Sequence, residues 1–176
     1  KRLRAVELRH GPTGKRFAYY KGTGSIGTAD PTFANKIIAA AKTLAKTSGL
    51  PVKIITIDTY ARALGGEDEN SAAVATAALN NIERIIDETR ASVVMVAHPG
   101  KDKERGMRGS NATFGGLDNY IRVDHDGEFA SARNVILDKA KDGVEGPIGS
   151  FTLEVVTVGT DEETGADGRD HQEAQG

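Results

Sequence analysis

The chain has 176 residues, 38% of them hydrophobic and 27% charged, with a net charge of -2 and no cysteine. That is enough chain for one domain with a real core. It excludes a membrane-spanning bundle, a disulfide framework, a thiolate metal site and a bulk basic footprint for nucleic acid, so that any nucleic-acid contact has to be local.

The first residue is Lys1 rather than Met, and no signal-peptide pattern follows it. A cytoplasmic protein is expected, and a piece of a longer polypeptide. "KRLRAVELR" reads as a charged helix with Leu3, Val6 and Leu8 apolar. "HGPTGKRF" then imitates a phosphate loop, but G-x-x-x-x-G-K-[ST] fails on spacing. Counting from Gly14-Lys15, the first glycine falls on Arg9 and the magnesium-ligating hydroxyl on Arg16. A helix precedes the motif, and "RFAYYKG" after it favours a strand. A Gly-Pro turn is the better reading.

"GTGSIGTADP" spaces Gly22, Gly24 and Gly27 as G-x-G-x-x-G. A dinucleotide fingerprint opens a helix at once, whereas here Asp30-Pro31 intervenes, suiting an N-cap and a first helical position. A loop is expected. From Pro31 to Ser48, Phe33, Ile37, Ile38, Ala41, Leu44 and Ala45 recur at helical spacing, and Gly49 stops the helix. "VKIITID" is a β-branched run of buried-strand type. "TYARALGGEDEN" reads as a loop, with Asn70 or Ser71 capping a helix whose stripe is Val74, Leu79, Ile82, Ile85 and Ile86. "SVVMVAH" is a second buried strand. Strand, helix and strand of these lengths predict a right-handed βαβ unit with parallel strands.

Beyond it the character changes. "PGKDKERGMRGSN" is a polar loop, and "NYIRVDHDGEFASARNVILDKAKDG" a hairpin turning near Asp126-Gly127. "GSFTLEVVTVG" is a further strand. Residues 159–176 carry no apolar residue but alanine and read as a disordered acidic tail. The expected fold class is α/β over residues 1–158: parallel central strands flanked by helices, extended by antiparallel C-terminal strands.

Two polar side chains end the parallel strands. Asp58 leaves the core at a strand's carboxyl end, where open α/β sheets place ligands. His98 ends the next strand in the same way and offers a hydrogen-bond donor. Arg108, in the loop beyond, carries the planar fork suited to phosphate. Lys139 and Lys141 alternate at a strand end and should share a face. Asp58, His98 and Ser110 are weak as a hydrolytic triad, because no nucleophile elbow surrounds Ser110. Asp124, His125 and Asp126 suit a turn better than a metal site. Lys101, Lys103 and Arg105 alternate with acids, which suits a solvated loop better than phosphate-backbone contact.

Together, "VKIITIDTYARALGGEDENSA", "VVMVAHPGKDKERGMRGSN" and "VILDKAKDGVEGP" resemble the RepA-type branch of hexameric, RecA-fold ATPases of plasmid and phage replication modules. The likeness covers most of residues 17–158. It implies a RecA-like core and an ATP-driven motor binding ATP, Mg2+ and single-stranded DNA. It matches Asp58 to the Walker B aspartate that holds magnesium, with Thr59 and His98 beside the nucleotide and His98 near the γ-phosphate. Arg108 looks like an arginine finger acting on a neighbouring subunit. "KAKDGVEGP" resembles the Lys-x-Arg-x-Gly-Pro region of DnaB-type helicases, so Lys139 and Lys141 are implied to act across the interface, with Lys141 where the family has Arg. Lys101, Lys103 and Arg105 fall where the DNA-coupling loop would be. In that family the phosphate loop and catalytic glutamate come earlier in the chain, so both are expected upstream of Lys1. The rival expectations are a non-catalytic RecA-fold module for DNA or a partner, a recombinase-like filament former, and a nicotinamide enzyme using Gly22, Gly24 and Gly27.

Overall fold

The computed structural model describes residues 2–12, 17–98, 111–124 and 132–158, with side chains from residue 5 onward. Helices α1 (Arg2–His10) and α2 (Thr32–Ser48) lead to strand β1 (Ile54–Asp58). Helices α3 (Tyr60–Ala63) and α4 (Ala72–Thr89) then cross to strand β2 (Ser92–Val96). Helix α5 (Asn111–Gly116) and strands β3 (Asn119–Asp124), β4 (Ala132–Ala140) and β5 (Gly146–Thr152) complete the chain order.

The predicted parallel pair is present. β1 and β2 run from Ile54 opposite Ser92 to Asp58 opposite Val96. Local signals explain the helices on either side of β1. Gly49 ends α2 in the left-handed conformation (φ 71°) that a Cβ disfavours, its N–H donating to the Ala45 carbonyl at 3.0 Å. Ser71 caps α4, its Oγ accepting from the Val74 amide at 3.4 Å. The packed faces join Ile26, Ile57, Tyr60, Leu64, Ala78 and Ile82 in one cluster and Ala34, Ile38 and Ile85 in a second. Burying each large aliphatic contributes roughly 1.5–3 kcal/mol.

The start of α2 differs by one step from expectation. Pro31 takes the cap position itself, and Asp30 Oδ1 accepts from the Thr32 amide (2.9 Å) and the Thr32 hydroxyl (2.7 Å). The hydroxyl bond first, then the amide bond, holds the Asp30 carboxyl below its ordinary pKa. Asp30 therefore stabilises the fold above the ordinary aspartate range, and that contribution disappears as pH falls through its lowered value. Asp30→Ala should lower the melting temperature at pH 7, with the gap to wild type closing below about pH 4. A gap that persists unchanged in acid would assign the effect to something other than the carboxylate.

Four expectations need correction. β1 and β2 are not buried on both faces. Ile57 is 9% exposed, but Ile54, Val94 and Val96 on the opposite face are 63%, 47% and 38% exposed. The helices that pack on the pair cover one face, so alternation replaces the continuous burial of a doubly covered sheet. Residues 17–21 form no strand among the described residues, and Phe17, Tyr19 and Tyr20 are exposed, because strand-forming side chains without a partner strand gain no ladder. "TYARALGGEDEN" holds the short helix α3. Finally, the antiparallel strands do not extend the parallel pair. They form their own three-stranded sheet in the order β3-β4-β5.

Within that sheet Asn119 pairs with Ala140 and Asp124 with Asn134, as the predicted hairpin requires. Its turn near Asp126-Gly127 lies outside the described residues. β5 starts earlier than predicted and stops at Thr152, because Thr152 faces Ala132, where β4 begins. Residues 159–176 also lie outside the described residues. Among the described residues no helix is long and apolar enough to cross a membrane.

Candidate nucleotide site at the parallel strand ends

Parallel pairing brings the carboxyl ends of β1 and β2 to one rim. Asp58 closes β1 opposite Val96, and His98 follows two residues later. Ile57 faces the helices, so by alternation Asp58 belongs to the uncovered face. Asp58 and His98 are both exposed. Among the described residues neither has a hydrogen-bond or ion-pair partner. A carboxylate at the end of β1 and an imidazole just past the end of β2 thus have no partner among the described residues.

The segment between Asp58 and α4 shapes the surroundings. The Asp58–Thr59 peptide is cis. Half-buried Thr59 caps α3, its carbonyl accepting from the Ala63 amide at 3.0 Å. Tyr60 turns inward, 2% exposed. Tyr60, Ala61 and Glu69 face Ala97 and His98 across a small cleft. Sequence alone does not mark Tyr60 or Glu69 as site neighbours, because their segment reads as loop.

Magnesium suits this donor set. It binds through one or two carboxylates plus phosphate oxygens and water rather than an all-protein cage. Among the described residues no group of three or more His, Asp or Glu side chains could hold a metal. Asp58 alone fits the magnesium pattern and not that of a structural zinc or calcium cage. The phosphate side is different. The sequence contains no G-x-x-x-x-G-K-[ST], and residues 13–16 of its nearest imitation lie outside the described residues.

The glycine loop is packed by the protein's own side chains. A Cβ on Gly24 would meet Phe33 at 2.6 Å, and one on Gly27 would meet Val74 at 2.8 Å and Leu64 at 3.0 Å. Ile26 is fully buried between them. The Ser25 hydroxyl donates to the Leu64 carbonyl (2.6 Å), and Asn81 Nδ2 donates to the Ile26 and Thr28 carbonyls (2.9 and 2.8 Å). These glycines permit close packing against α2, α3 and α4 rather than approach of a pyrophosphate, and the loop is strapped down on both sides. Asn81, 6% exposed, was visible in the sequence only as a polar interruption beside the apolar Ile82.

The other nominated residues fall in two groups. Lys101, Lys103, Arg105, Arg108 and Ser110 lie outside the described residues, as do His125 and Asp126. Asp124 pairs with Arg122, which also grips Asp138 through Nε at 2.6 Å. Lys139 and Lys141 both bond within their own chain, at the end of α5 and just beyond it. Lys139 Nζ donates to the Phe114 and Gly115 carbonyls (2.8 and 3.0 Å) and lies 5.2 Å from the Phe114 ring centre. Lys141, just past β4, bonds Asp118 Oδ1 at 2.9 Å, and that hydrogen bond raises its pKa.

Residues 1–104 match the model of a protein family described as an AAA domain. No curated protein matches the chain.

Proposed function

The chain belongs to the AAA-domain family, an ATPase-type domain, and from that premise we propose that it is the nucleotide-hydrolysing motor module of a replicative, RepA-type DNA helicase-like protein. The observation that carries this reading is the pair Asp58 and His98, at or just past neighbouring parallel strand ends and without partners among the described residues. Residues 1–158 then form the C-terminal part of a RecA-like ATPase domain. Because the sequence holds no phosphate loop, we assign the phosphate cradle and the water-activating base to residues outside positions 1–176.

On this reading Asp58 would hold Mg2+, with Thr59 beside it. Magnesium, when bound, neutralises charge on the β- and γ-phosphates of ATP. His98 donates a hydrogen bond toward the γ-phosphate. Arg108 from a neighbouring subunit of a hexamer stabilises charge on the transferred phosphoryl group. Lys139 and Lys141 assist across the same interface once released from Phe114, Gly115 and Asp118. A lysine at position 141 makes one point-charge contact where arginine would make two. Lys101, Lys103 and Arg105 contact the backbone of single-stranded DNA.

A second reading, a non-catalytic module that binds DNA or a protein, is favoured by the absent phosphate loop and by the two lysines held within their own chain. Turnover measurements separate the two. The motor reading expects Mg2+-dependent ATP hydrolysis by the native protein, increased by single-stranded DNA. DNA binding without any hydrolysis would select the second reading, and hydrolysis indifferent to DNA would remove the helicase-like part of the first.

A further inference from the structure

Ile26 ties the glycine loop to two helices at once. Its side chain is 0% exposed and packs with Ile57, Tyr60, Leu64, Ala78 and Ile82. Its amide donates to the Ala63 carbonyl at the end of α3, at 2.9 Å. Its carbonyl accepts from Asn81 Nδ2 of α4, also at 2.9 Å. Beside it, the Ser25 hydroxyl donates to the Leu64 carbonyl (2.6 Å) and accepts from the Gly27 amide (3.0 Å). The loop therefore bridges the end of α3 to the side of α4.

That bridge matters to α3 more than to α4. A helix of 4 residues has little stability of its own. Carbonyls at a helix's C-terminal end lack intrahelical donors. Ala63 receives the Ile26 amide, and Leu64 receives the Ser25 hydroxyl together with the Glu67 amide (3.2 Å). The chain then leaves through Gly65, at φ 66°, where a Cβ would meet Ser25 Cβ at 2.8 Å and the Gly24 carbonyl at 3.1 Å. Gly66 also has a positive φ, 99°, but a Cβ there would meet nothing within 4 Å. α3 begins two residues after Asp58, and its Tyr60 and Ala61 face Ala97 and His98 across the cleft. A shift of α3 displaces that wall and the strand end joined to it.

We propose that Ser25 is a positioning residue: its hydroxyl, beside the Ile26 amide, latches the end of α3 to the glycine loop and so holds the wall of the cleft in one geometry relative to Asp58 and His98. The glycines at 24 and 27 serve that latch by letting the loop lie close against α2, α3 and α4. The proposal rests on the motor reading above, and it concerns geometry rather than contact with nucleotide. Misplacement of a reacting group by about 1 Å costs as much as 100-fold in rate.

The test is a set of small changes in the native protein. Ser25→Ala, which removes the hydroxyl, and Gly65→Ala, which wedges the loop away, should each lower kcat for ATP about ten-fold while leaving KM for Mg-ATP within about two-fold. The double variant should be no slower than the slower single variant, because both open one shared contact. Gly66→Ala strains the same turn without touching the loop, so it should lower the melting temperature yet keep kcat within about two-fold. A wild-type kcat in Ser25→Ala, or an equal loss in Gly66→Ala, overturns the proposal. A second readout does not depend on turnover: Ser25→Ala should speed exchange of the amides of residues 63–65 about ten-fold and leave residues 40–48 of α2 unchanged. If the native protein lacks ATPase activity but this exchange effect appears, the motor reading fails and the latch on α3 stands. If exchange is unchanged, the latch fails, whatever the activity.

Discussion

Asp58→Ala should abolish ATP turnover, by on the order of 1,000-fold or more, while leaving the fold intact. Metal stabilisation of phosphoryl charge is worth several kcal/mol, and each 1.4 kcal/mol is a factor of ten. The Asp58 carboxylate is exposed and has no partner among the described residues, so its removal breaks no contact that holds the core. Exposed substitutions of that kind change stability by about 0.5 kcal/mol or less. Hydrolysis rates over a magnesium titration, paired with thermal melting, make the check. Asp58→Asn should be nearly as inactive as alanine, since the amide keeps the shape and loses the charge. A variant that melts normally and still turns over ATP would remove the metal role.

Arg108→Ala should cost roughly 1,000- to 100,000-fold in hydrolysis, the range of arginine fingers supplied in trans. The trans assignment has its own signature. Subunits carrying Arg108→Ala retain Asp58, and subunits carrying Asp58→Ala retain Arg108. Mixed in equal amounts, two inactive proteins should regain activity. Random assortment in a closed ring rebuilds on the order of a quarter of the interfaces as one intact Asp58 facing one intact Arg108. Mixing that restores nothing, with oligomers of mixed composition demonstrated by size and mass, would place Arg108 in its own subunit's site or in none.

The two lysines show how far spacing alone could reach. Their alternation predicts one shared strand face; in the structure Lys139 lies in β4 and bonds the end of α5, while Lys141 lies just past β4 and bonds Asp118. Their acceptors, the Phe114 and Gly115 carbonyls and Asp118, lie more than twenty positions away. No local pattern encodes such a pairing. The glycine loop teaches the same lesson from the other side. Gly22, Gly24 and Gly27 satisfied a short motif, yet Phe33, Val74 and Leu64 occupy the space a ligand would need.

What the sequence determined by itself is the part written in short-range chemistry. Gly49 and Ser71 end and begin their helices, β-branched runs mark β1 and β2, Asp58 closes β1, and His98 follows β2 by two residues. These follow from caps, periodicity and chain length, which act within a few residues. What only the tertiary structure decided is which faces and side chains found partners. One face of the parallel pair is left open, the antiparallel strands separate into their own sheet, and Tyr60 meets Thr113 across 53 positions. Burial and hydrogen-bond satisfaction are settled by whichever groups arrive from elsewhere in the chain, and that arrival is a property of the folded whole.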